Sequence, residues 1–230
     1  MTPKGPTSPT RQLRLKLKAP ASFARQDFVR SPTNAAAVAA LDAWPKWPGG
    51  CLVLVGPEGC GKSHLAREWA TRVGAASLPA NGADLATLHG HPVIIEDADR
   101  GLADDTLFHL INMAGASGGV LFTARTPPAA WPADLPDLRS RLNALPVAEI
   151  AAPDDVVLEG VLRKFFRERH IRPAEDVYAY LLRRIERSVP AALDIVTRLD
   201  EWGDAEQRDI TRALARQILE NEDTTLNLFE

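Results

Sequence analysis

The sequence predicts an α/β protein: a mostly parallel sheet with helices on both faces, followed by a small all-helical domain that we call the lid. Two observations support this. A short, wholly apolar run at Cys51–Val55 and similar short runs at Val93–Ile95 and Val120–Thr123, predicted as buried strands, alternate with stretches of helical periodicity, which is typical of parallel strands buried on both faces. Over 153–222 only helical periodicity remains. The chain therefore divides into an α/β core and a lid.

The helices of the core are predicted from local residues. A helix over 34–44 starts at Asn34, whose side chain suits an N-cap, and continues through alanines, which are strong helix formers. A second helix follows Gly61, and a third covers Thr106–Ala114. Strands that alternate with helices in this way form parallel sheets with right-handed crossovers.

The lid is predicted to be a bundle of three or four helices. Apolar residues recur at three- and four-residue spacing in each, and proline is favoured in the first turn of a helix. The helices are indicated, in order, by Val157, Val161 and Phe165; by the segment 174–187; by a start at Ser188 and Pro190; and by Ile210, Leu214 and Ile218. With the flanking tails, the expected segments are 1–20, 21–152, 153–222 and 223–230.

The composition excludes several classes of protein. A formal net charge of −3 over 230 residues argues against wholesale binding to a nucleic-acid backbone. The two cysteines form no CxxC pair, so a disulfide or zinc framework is not expected. The first residues lack the apolar run of a secretory signal, and no apolar stretch approaches membrane-spanning length. We therefore expect a cytoplasmic protein without a membrane partner.

A phosphate-binding motif lies between the first predicted strand and the helix that follows it. The motif G-x-x-x-x-G-K-[ST] is matched at every fixed position, by Gly56, Gly61, Lys62 and Ser63. The four variable positions are Pro57, Glu58, Gly59 and Cys60. Glycines let the backbone curl so that its N–H groups face phosphate oxygens, and the helix presents its positive end to the same anion. Lys62 would reach the β- and γ-phosphates, and Ser63 would ligate Mg²⁺. We call Gly56–Ser63 the phosphate loop.

Two carboxylates follow the next buried strand. In one interpretation Glu96 lies nearer the metal, through water, and Asp97 polarises an attacking water. In the other register Asp97 is the metal partner. A solvated acidic turn remains the alternative, because Asp99, Asp104 and Asp105 follow closely.

The chain resembles a known family. It is similar over nearly its whole length to the AAA+ module of bacterial DnaA replication initiators, and more closely to the DnaA-related regulators called Hda. The resemblance is carried by Phe28, Val29 and Asn34; by Gly56–Ser63 with His64; by Glu96 and Asp97; by Thr123–Pro128; and by Leu138–Leu142.

The resemblance implies a specific activity. Phe28, Val29 and Asn34 would frame the adenine of bound ADP or ATP, next to the phosphate loop and His64, with Mg²⁺ as the metal. Arg141 would be an arginine finger that reaches a nucleotide at a subunit boundary, so a homo-oligomer is also conceivable. An Hda-type protein on the DNA polymerase III sliding clamp (its beta subunit) stimulates ATP hydrolysis by DnaA and so limits replication initiation.

Two features favour the regulator over the initiator. Hda proteins carry an N-terminal clamp-binding peptide, and Gln12, Leu13, Leu15 and Leu17 stand where it is expected; alternate apolar residues suit an extended peptide in a groove. The chain ends soon after the lid, so we expect no DNA-reading domain. A disordered basic tail, with weak DNA contact, is the alternative for 1–20, and Thr225–Phe229 is a rival clamp peptide.

Three positions depart from the family pattern. Glu96 stands where aspartate is usual, and Arg125 replaces the small polar or acidic residue of sensor 1. Pro190 falls on the sensor 2 arginine, for which Arg187 or Arg198 could substitute. These changes predict weak intrinsic hydrolysis. A self-sufficient ATPase of the helicase-loader type is the alternative function, and the choice between ADP and ATP stays open.

Overall fold

The computed structural model describes residues 23–78, 90–206 and 208–226 of the chain. The predicted clamp peptide at Gln12–Leu17 and most of its rival at Thr225–Phe229 lie outside these residues. Among the described residues, no helix is both long and apolar enough to cross a membrane.

The five strands form one parallel sheet. Their bounds are β1 (Cys51–Val55), β2 (Ala76–Leu78), β3 (Val93–Ile95), β4 (Val120–Ala124) and β5 (Val147–Glu149). The order across the sheet is β2-β3-β4-β1-β5, and every neighbouring pair is parallel. The three wholly buried runs of the sequence are β1, β3 and β4, as predicted. The two short edge strands, β2 and β5, were not predicted.

Helices cover both faces of the sheet. They are α1 (Ala35–Asp42), α2 (Lys62–Val73), α3 (Asp104–Ser117) and α4 (Pro136–Ala144). One face of β4 places Phe122 in a cluster with Leu110 of α3 and Leu142 of α4. The other face places Leu121 with Leu41 of α1 and Trp69 of α2. The alternation of side chains along each strand thus supplies two apolar layers.

The lid forms a third apolar cluster of its own. Its helices are α5 (Asp155–Glu168), α6 (Glu175–Leu182), α7 (Val189–Glu206) and α8 (Arg212–Leu226). Phe166, Leu181, Val196 and Ile218 represent the four helices in this cluster. The prediction of a compact all-helical unit after the sheet is confirmed.

Three boundaries of the predicted segments differ from the structure. The helix predicted over 174–187 ends earlier, at Leu182, and the next helix, α7, begins at Val189. Thr211 precedes α8, where its hydroxyl accepts a hydrogen bond of 3.3 Å from the N–H of Leu214, so Ile210 lies outside the helix. At the other end α8 continues to Leu226, so part of the segment expected as a C-terminal tail is helical.

Candidate phosphate-binding site

The phosphate loop leaves the carboxyl end of β1 and enters α2 at Lys62. Its first residue is tied to the neighbouring strand, since the N–H of Gly56 donates to the carbonyl oxygen of Ala124 at 3.3 Å. Gly59 and Gly61 have φ angles of 69° and 104°, a left-handed region that disfavours residues with a Cβ. The two glycines therefore give the loop the curl that the motif predicts.

Neighbouring groups crowd the glycine positions of this loop. A Cβ on Gly56 would lie 2.2 Å from the carbonyl oxygen of Ile150, and one on Gly61 would lie 3.2 Å from the ring of Phe28. Cys60 is buried, and burial raises the pKa of its thiol above the ordinary value. Cys60 is therefore a packing residue of the loop and not a nucleophile at neutral pH.

The side chain of Lys62 folds back onto the first residues of the phosphate loop. Its ammonium group donates to the carbonyl oxygens of Gly56 and Pro57, at 2.8 Å each, and the residue is only 7% exposed. Ser63, the next residue of α2, is exposed. A buried cation, a curled glycine backbone and the first turn of a helix together fit a phosphate group. Lys62 would hold the terminal phosphates, and the Ser63 hydroxyl would meet their Mg²⁺.

The two acidic residues lie at the end of β3 but in different surroundings. Glu96 forms an ion pair of 2.8 Å with Arg67 of α2. Asp97 is exposed, with a φ angle of 53°, and its N–H donates to the buried Thr123 hydroxyl at 3.1 Å. In the described parts of the chain, no group of three or more Asp, Glu, His or Cys residues is placed to hold a metal ion. Mg²⁺ would thus depend on Ser63 and phosphate oxygens as well as on these acids.

The turn after β4 is held by a carboxylate that the sequence did not single out. Asp99 accepts hydrogen bonds from the N–H groups of Arg125 and Thr126, at 2.8 and 3.1 Å. The side chain of Arg125 then forms an ion pair of 2.5 Å with Glu58 of the phosphate loop. This contact joins two segments that are far apart in sequence, so no local pattern could have predicted it.

The predicted adenine-framing segment lies between the core and the lid. Phe28 packs at Gly61 of the phosphate loop, while Val29 lies against Gly160 of α5. Asn34 takes the N-cap position of α1 but makes no side-chain cap, which corrects part of its predicted role. Its amide instead accepts from the N–H of Ser31 and donates to the carbonyl of Val29. Asn34 thereby fixes the turn that presents the two apolar residues.

His64 lies beneath this segment, in the first turn of α2. Its ring is 5.6 Å from that of Phe23 and 5.4 Å from that of Phe28, measured between centroids, and its Nε2 is 3.2 Å from the carbonyl oxygen of Ala24. Burial lowers the pKa of His64 from its ordinary value, which favours the neutral ring. His64 therefore holds the entry segment against the phosphate loop.

Two arginines of α4 have different surroundings. Arg139 donates to the carbonyl oxygens of Ala129, Trp131 and Ala133, and so holds the loop before the helix. Arg141, the predicted finger, is 39% exposed and pairs with Asp137 of the same helix at 3.2 Å. Its guanidinium also lies 4.9 Å from the ring centroid of Phe108 in α3. These contacts place Arg141 on the surface of α3 and α4.

The start of α7 contacts the phosphate loop directly. The N–H of Val189 donates to the carbonyl oxygen of Gly59 at 3.0 Å, and a Cβ on Gly59 would lie 2.5 Å from Pro190. Pro190 therefore meets the loop as an apolar ring, at the position that the resemblance in sequence aligns with the sensor 2 arginine.

The two arginines considered as substitutes for sensor 2 make contacts elsewhere. Arg187 donates to the carbonyl of Pro153 at 3.1 Å and to Asp155 at 2.6 Å. Arg198 donates to the carbonyl of Ile218 at 3.0 Å. Both sets of contacts belong to the lid and its junction with the core.

The fold and the site together define the class of this protein. A parallel sheet in the order β5-β1-β4-β3-β2, a phosphate loop between β1 and α2, and a C-terminal helical lid are the AAA+ fold.

Three solved structures, two of DnaA and one of RuvB, share this fold. Domain III of the Thermotoga maritima initiation protein DnaA aligns with a TM-score of 0.71 at 17% identity, over 86% of this chain and 96% of that chain. The T. maritima RuvB Holliday junction branch migration motor aligns at 0.67 and 15%, over 86% and 72%. AMPPCP-bound DnaA from Aquifex aeolicus aligns at 0.62 and 14%, over 77% and 64%.

The sequence itself matches no protein-family profile and no curated protein. At such low identities the structural likeness establishes the fold alone.

Proposed function

We propose that this protein binds an adenine nucleotide with Mg²⁺ at Gly56–Ser63 and acts as a DnaA-directed regulator of replication initiation. The observation that carries the nucleotide proposal is the loop itself. Two left-handed glycines, the buried Lys62 and the N-terminus of α2 are brought together in this one loop. That arrangement suits the phosphates of a nucleotide better than any other common ligand.

The adenine part of the proposal has two supports. Phe28 lies against Gly61 at the mouth of the loop, and Val29 against the lid, so an apolar segment borders the phosphate site. The fold is also shared with DnaA from Aquifex aeolicus bound to AMPPCP, an adenine nucleotide analogue. A planar base would find apolar contacts on this segment, next to its phosphates.

Three contacts around the loop favour a regulator with weak hydrolysis of its own. Arg67 engages the Glu96 carboxylate, and Glu58 engages the Arg125 guanidinium. Pro190 takes the place at the loop where the family pattern has an arginine. Efficient phosphoryl transfer needs cations and carboxylates aimed at the reacting phosphate. Here the carboxylate of Glu96 and the guanidinium of Arg125 are each paired with another side chain.

Arg141 supports the action on a partner. Its guanidinium is part-exposed on the surface of α4, where a second protein can approach it. An arginine supplied from a neighbouring subunit stabilises the charge that develops on a transferred phosphoryl group. We therefore assign Arg141 as the finger that acts on DnaA. The tail at Gln12, Leu13, Leu15 and Leu17 would tether the protein to the sliding clamp.

The tether is tested by binding of the full chain to the sliding clamp, with and without ADP. Wild type is expected to bind, and a Gln12→Ala/Leu13→Ala variant is not. A Leu226→Ala/Leu228→Ala variant separates the rival C-terminal peptide. Clamp binding by neither tail would remove the Hda-type assignment.

The action on DnaA is tested by hydrolysis of ATP bound to DnaA, with clamp-loaded DNA present. Arg141→Ala is expected to abolish the stimulation while its own ADP affinity and clamp binding stay at wild-type level. Stimulation that survives in Arg141→Ala would refute the finger. Strong ATP turnover by the isolated chain, with self-assembly, would favour an ATPase of the helicase-loader type instead. The structural feature that supports this second candidate is the exposed carboxylate of Asp97.

A further inference from the structure

The phosphate loop carries an acidic residue that pairs with a cation from the next strand. Glu58 is the third residue of the loop, and Arg125 directly follows β4. One guanidinium nitrogen of Arg125 lies 2.5 Å from a carboxylate oxygen of Glu58. The side chains are 36% and 69% exposed, for Arg125 and Glu58 respectively, so the pair is open to a ligand and to solvent. Exposed pairs of this kind add little to stability and exchange partners readily.

The sheet places this pair at the terminal-phosphate end of the site. Val55 and Ala124 are opposite each other at the ends of β1 and β4, so Arg125 starts at the same sheet edge as the loop. Asp97 lies at this edge too, since its N–H bonds Thr123. Because the acids at the strand ends would meet the Mg²⁺ of a bound nucleotide, its last phosphate would face this edge.

The backbone of Arg125 is held in place, while its side chain is part-exposed. Asp99 accepts from the N–H groups of Arg125 and Thr126, which fixes the turn. Only the flexible part of Arg125 has to move for its guanidinium to exchange the carboxylate of Glu58 for a phosphate oxygen. Both are oxyanions that a guanidinium binds through charge-assisted hydrogen bonds.

The charges around this end decide which nucleotide gains from the exchange. Lys62 is held within the loop, and Arg67 is paired with Glu96. Glu58 and Arg125 together carry no net charge. A diphosphate can bind while this pair stays intact, whereas a third phosphate adds negative charge beside Glu58 and must draw Arg125 away from it.

We infer that Glu58 competes with the terminal phosphate of a nucleoside triphosphate for Arg125, so that this ion pair sets the selectivity of the site between diphosphate and triphosphate. The inference rests on the proposed binding of adenine nucleotide. It assigns a role to Arg125 that the usual small residue at this position could not fill, and it gives Glu58 a ligand-mimicking role within the chain.

The test is the affinity of the full chain for Mg²⁺-ADP and for Mg²⁺-AMPPCP, which has a methylene bridge between its β- and γ-phosphates, measured by calorimetric titration. Glu58→Gln frees Arg125, so the affinity for AMPPCP relative to ADP is expected to rise about three- to tenfold. Arg125→Gln leaves Glu58 facing the last phosphate without a cation. The same ratio is then expected to fall by about three- to tenfold.

Two further variants make the result specific. The double variant Glu58→Gln/Arg125→Gln keeps the net charge of the pair at zero, so its ratio is expected to return to within about twofold of wild type. Glu175→Gln breaks another exposed Arg–Glu ion pair, with Arg163 in the lid, and is the matched control. It is expected to leave the ratio unchanged.

The outcomes separate this inference from the proposed function. If wild type binds neither nucleotide, the nucleotide proposal itself fails. If wild type binds ADP but Glu58→Gln leaves the AMPPCP-to-ADP ratio within twofold of wild type, the competition is refuted while nucleotide binding stands. A ratio that falls in Glu58→Gln would also overturn it, because the carboxylate would then assist the triphosphate.

Discussion

The N–H of Val189 donates to the carbonyl oxygen of Gly59 at 3.0 Å, which joins the phosphate loop to the first residue of α7 through main-chain atoms. Pro190 packs on the same glycine. A backbone contact of this kind does not depend on the identity of a side chain. Any ligand that moves the loop must therefore move or release the start of α7, so the lid is coupled to the phosphate site without an arginine.

This contact predicts a specific effect of Gly59→Ala. A Cβ would lie 2.5 Å from Pro190 and 2.9 Å from the Cβ of Ser188, and the residue has a φ of 69°. We expect a loss of unfolding free energy of about 1–3 kcal/mol from strain, with a further loss from the clash. Chemical denaturation measures the loss of stability, and Mg²⁺-ADP titration measures whether the loop keeps its nucleotide affinity.

Gly74→Ala is the matched control for this substitution. Gly74 has a φ of 68° at the end of α2, and a Cβ there would meet nothing within 4 Å. It therefore shares the backbone strain but not the clash. Equal losses of stability in the two variants, with nucleotide affinity retained in Gly59→Ala, would show that the contact with Pro190 is unimportant.

Truncation of the two arginines of α4 is expected to lower the unfolding free energy by different amounts. Arg139→Ala leaves the carbonyls of Ala129, Trp131 and Ala133 without their donor, so a loss of about 1–3 kcal/mol is expected. Arg141→Ala removes a part-exposed pair with Asp137 and the contact of the guanidinium with the Phe108 ring, so a loss within about 1 kcal/mol is expected. Urea denaturation of both variants gives the comparison. A larger loss for Arg141→Ala would mean that it is structural and not a finger.

His64 predicts a dependence of stability on pH. Because burial lowers its pKa in the folded chain, the unfolded chain takes up the proton more readily. The stabilisation by the neutral ring is therefore complete above the ordinary histidine pKa of about 6.5 and is lost as the pH falls below it. Unfolding free energies between about pH 5 and 8 are expected to fall less steeply toward acid in His64→Asn than in wild type.

The control for this prediction is His109→Asn, which removes an exposed histidine from α3. A slope in His64→Asn that matches wild type would show that this ring does not resist protonation in the fold.

The sequence predicted the buried strands better than the edges of the sheet. β1 is apolar at every position, β4 at every position but Thr123, and both are buried on both faces, so such runs can be recognised locally. β2 and β5 have only three residues each, and in β5 only Ala148 is buried. A three-residue segment with one buried position carries no periodic signal, so pairing with a neighbouring strand defines it.

In the site, the sequence predicted the loop and missed its contacts. The motif predicts a curled backbone at Gly59 and Gly61, and both residues have the positive φ angles that such a curl requires. The pairs Glu58–Arg125 and Arg67–Glu96 join residues 67 and 29 positions apart, and their formation depends on the strand order. Tertiary contacts of this kind follow from the fold and leave no local pattern.

Calorimetric titration of the full chain with Mg²⁺-ADP tests the central claim most directly, using wild type, Lys62→Ala and Lys46→Ala. Lys62 is buried in the phosphate loop, whereas Lys46 is exposed after α1. Wild type and Lys46→Ala are expected to bind one nucleotide per chain with equal affinity. Lys62→Ala is expected to bind about 10- to 100-fold more weakly. Absence of binding in wild type, or equal affinity in all three proteins, would contradict the assignment of Gly56–Ser63 as a nucleotide site.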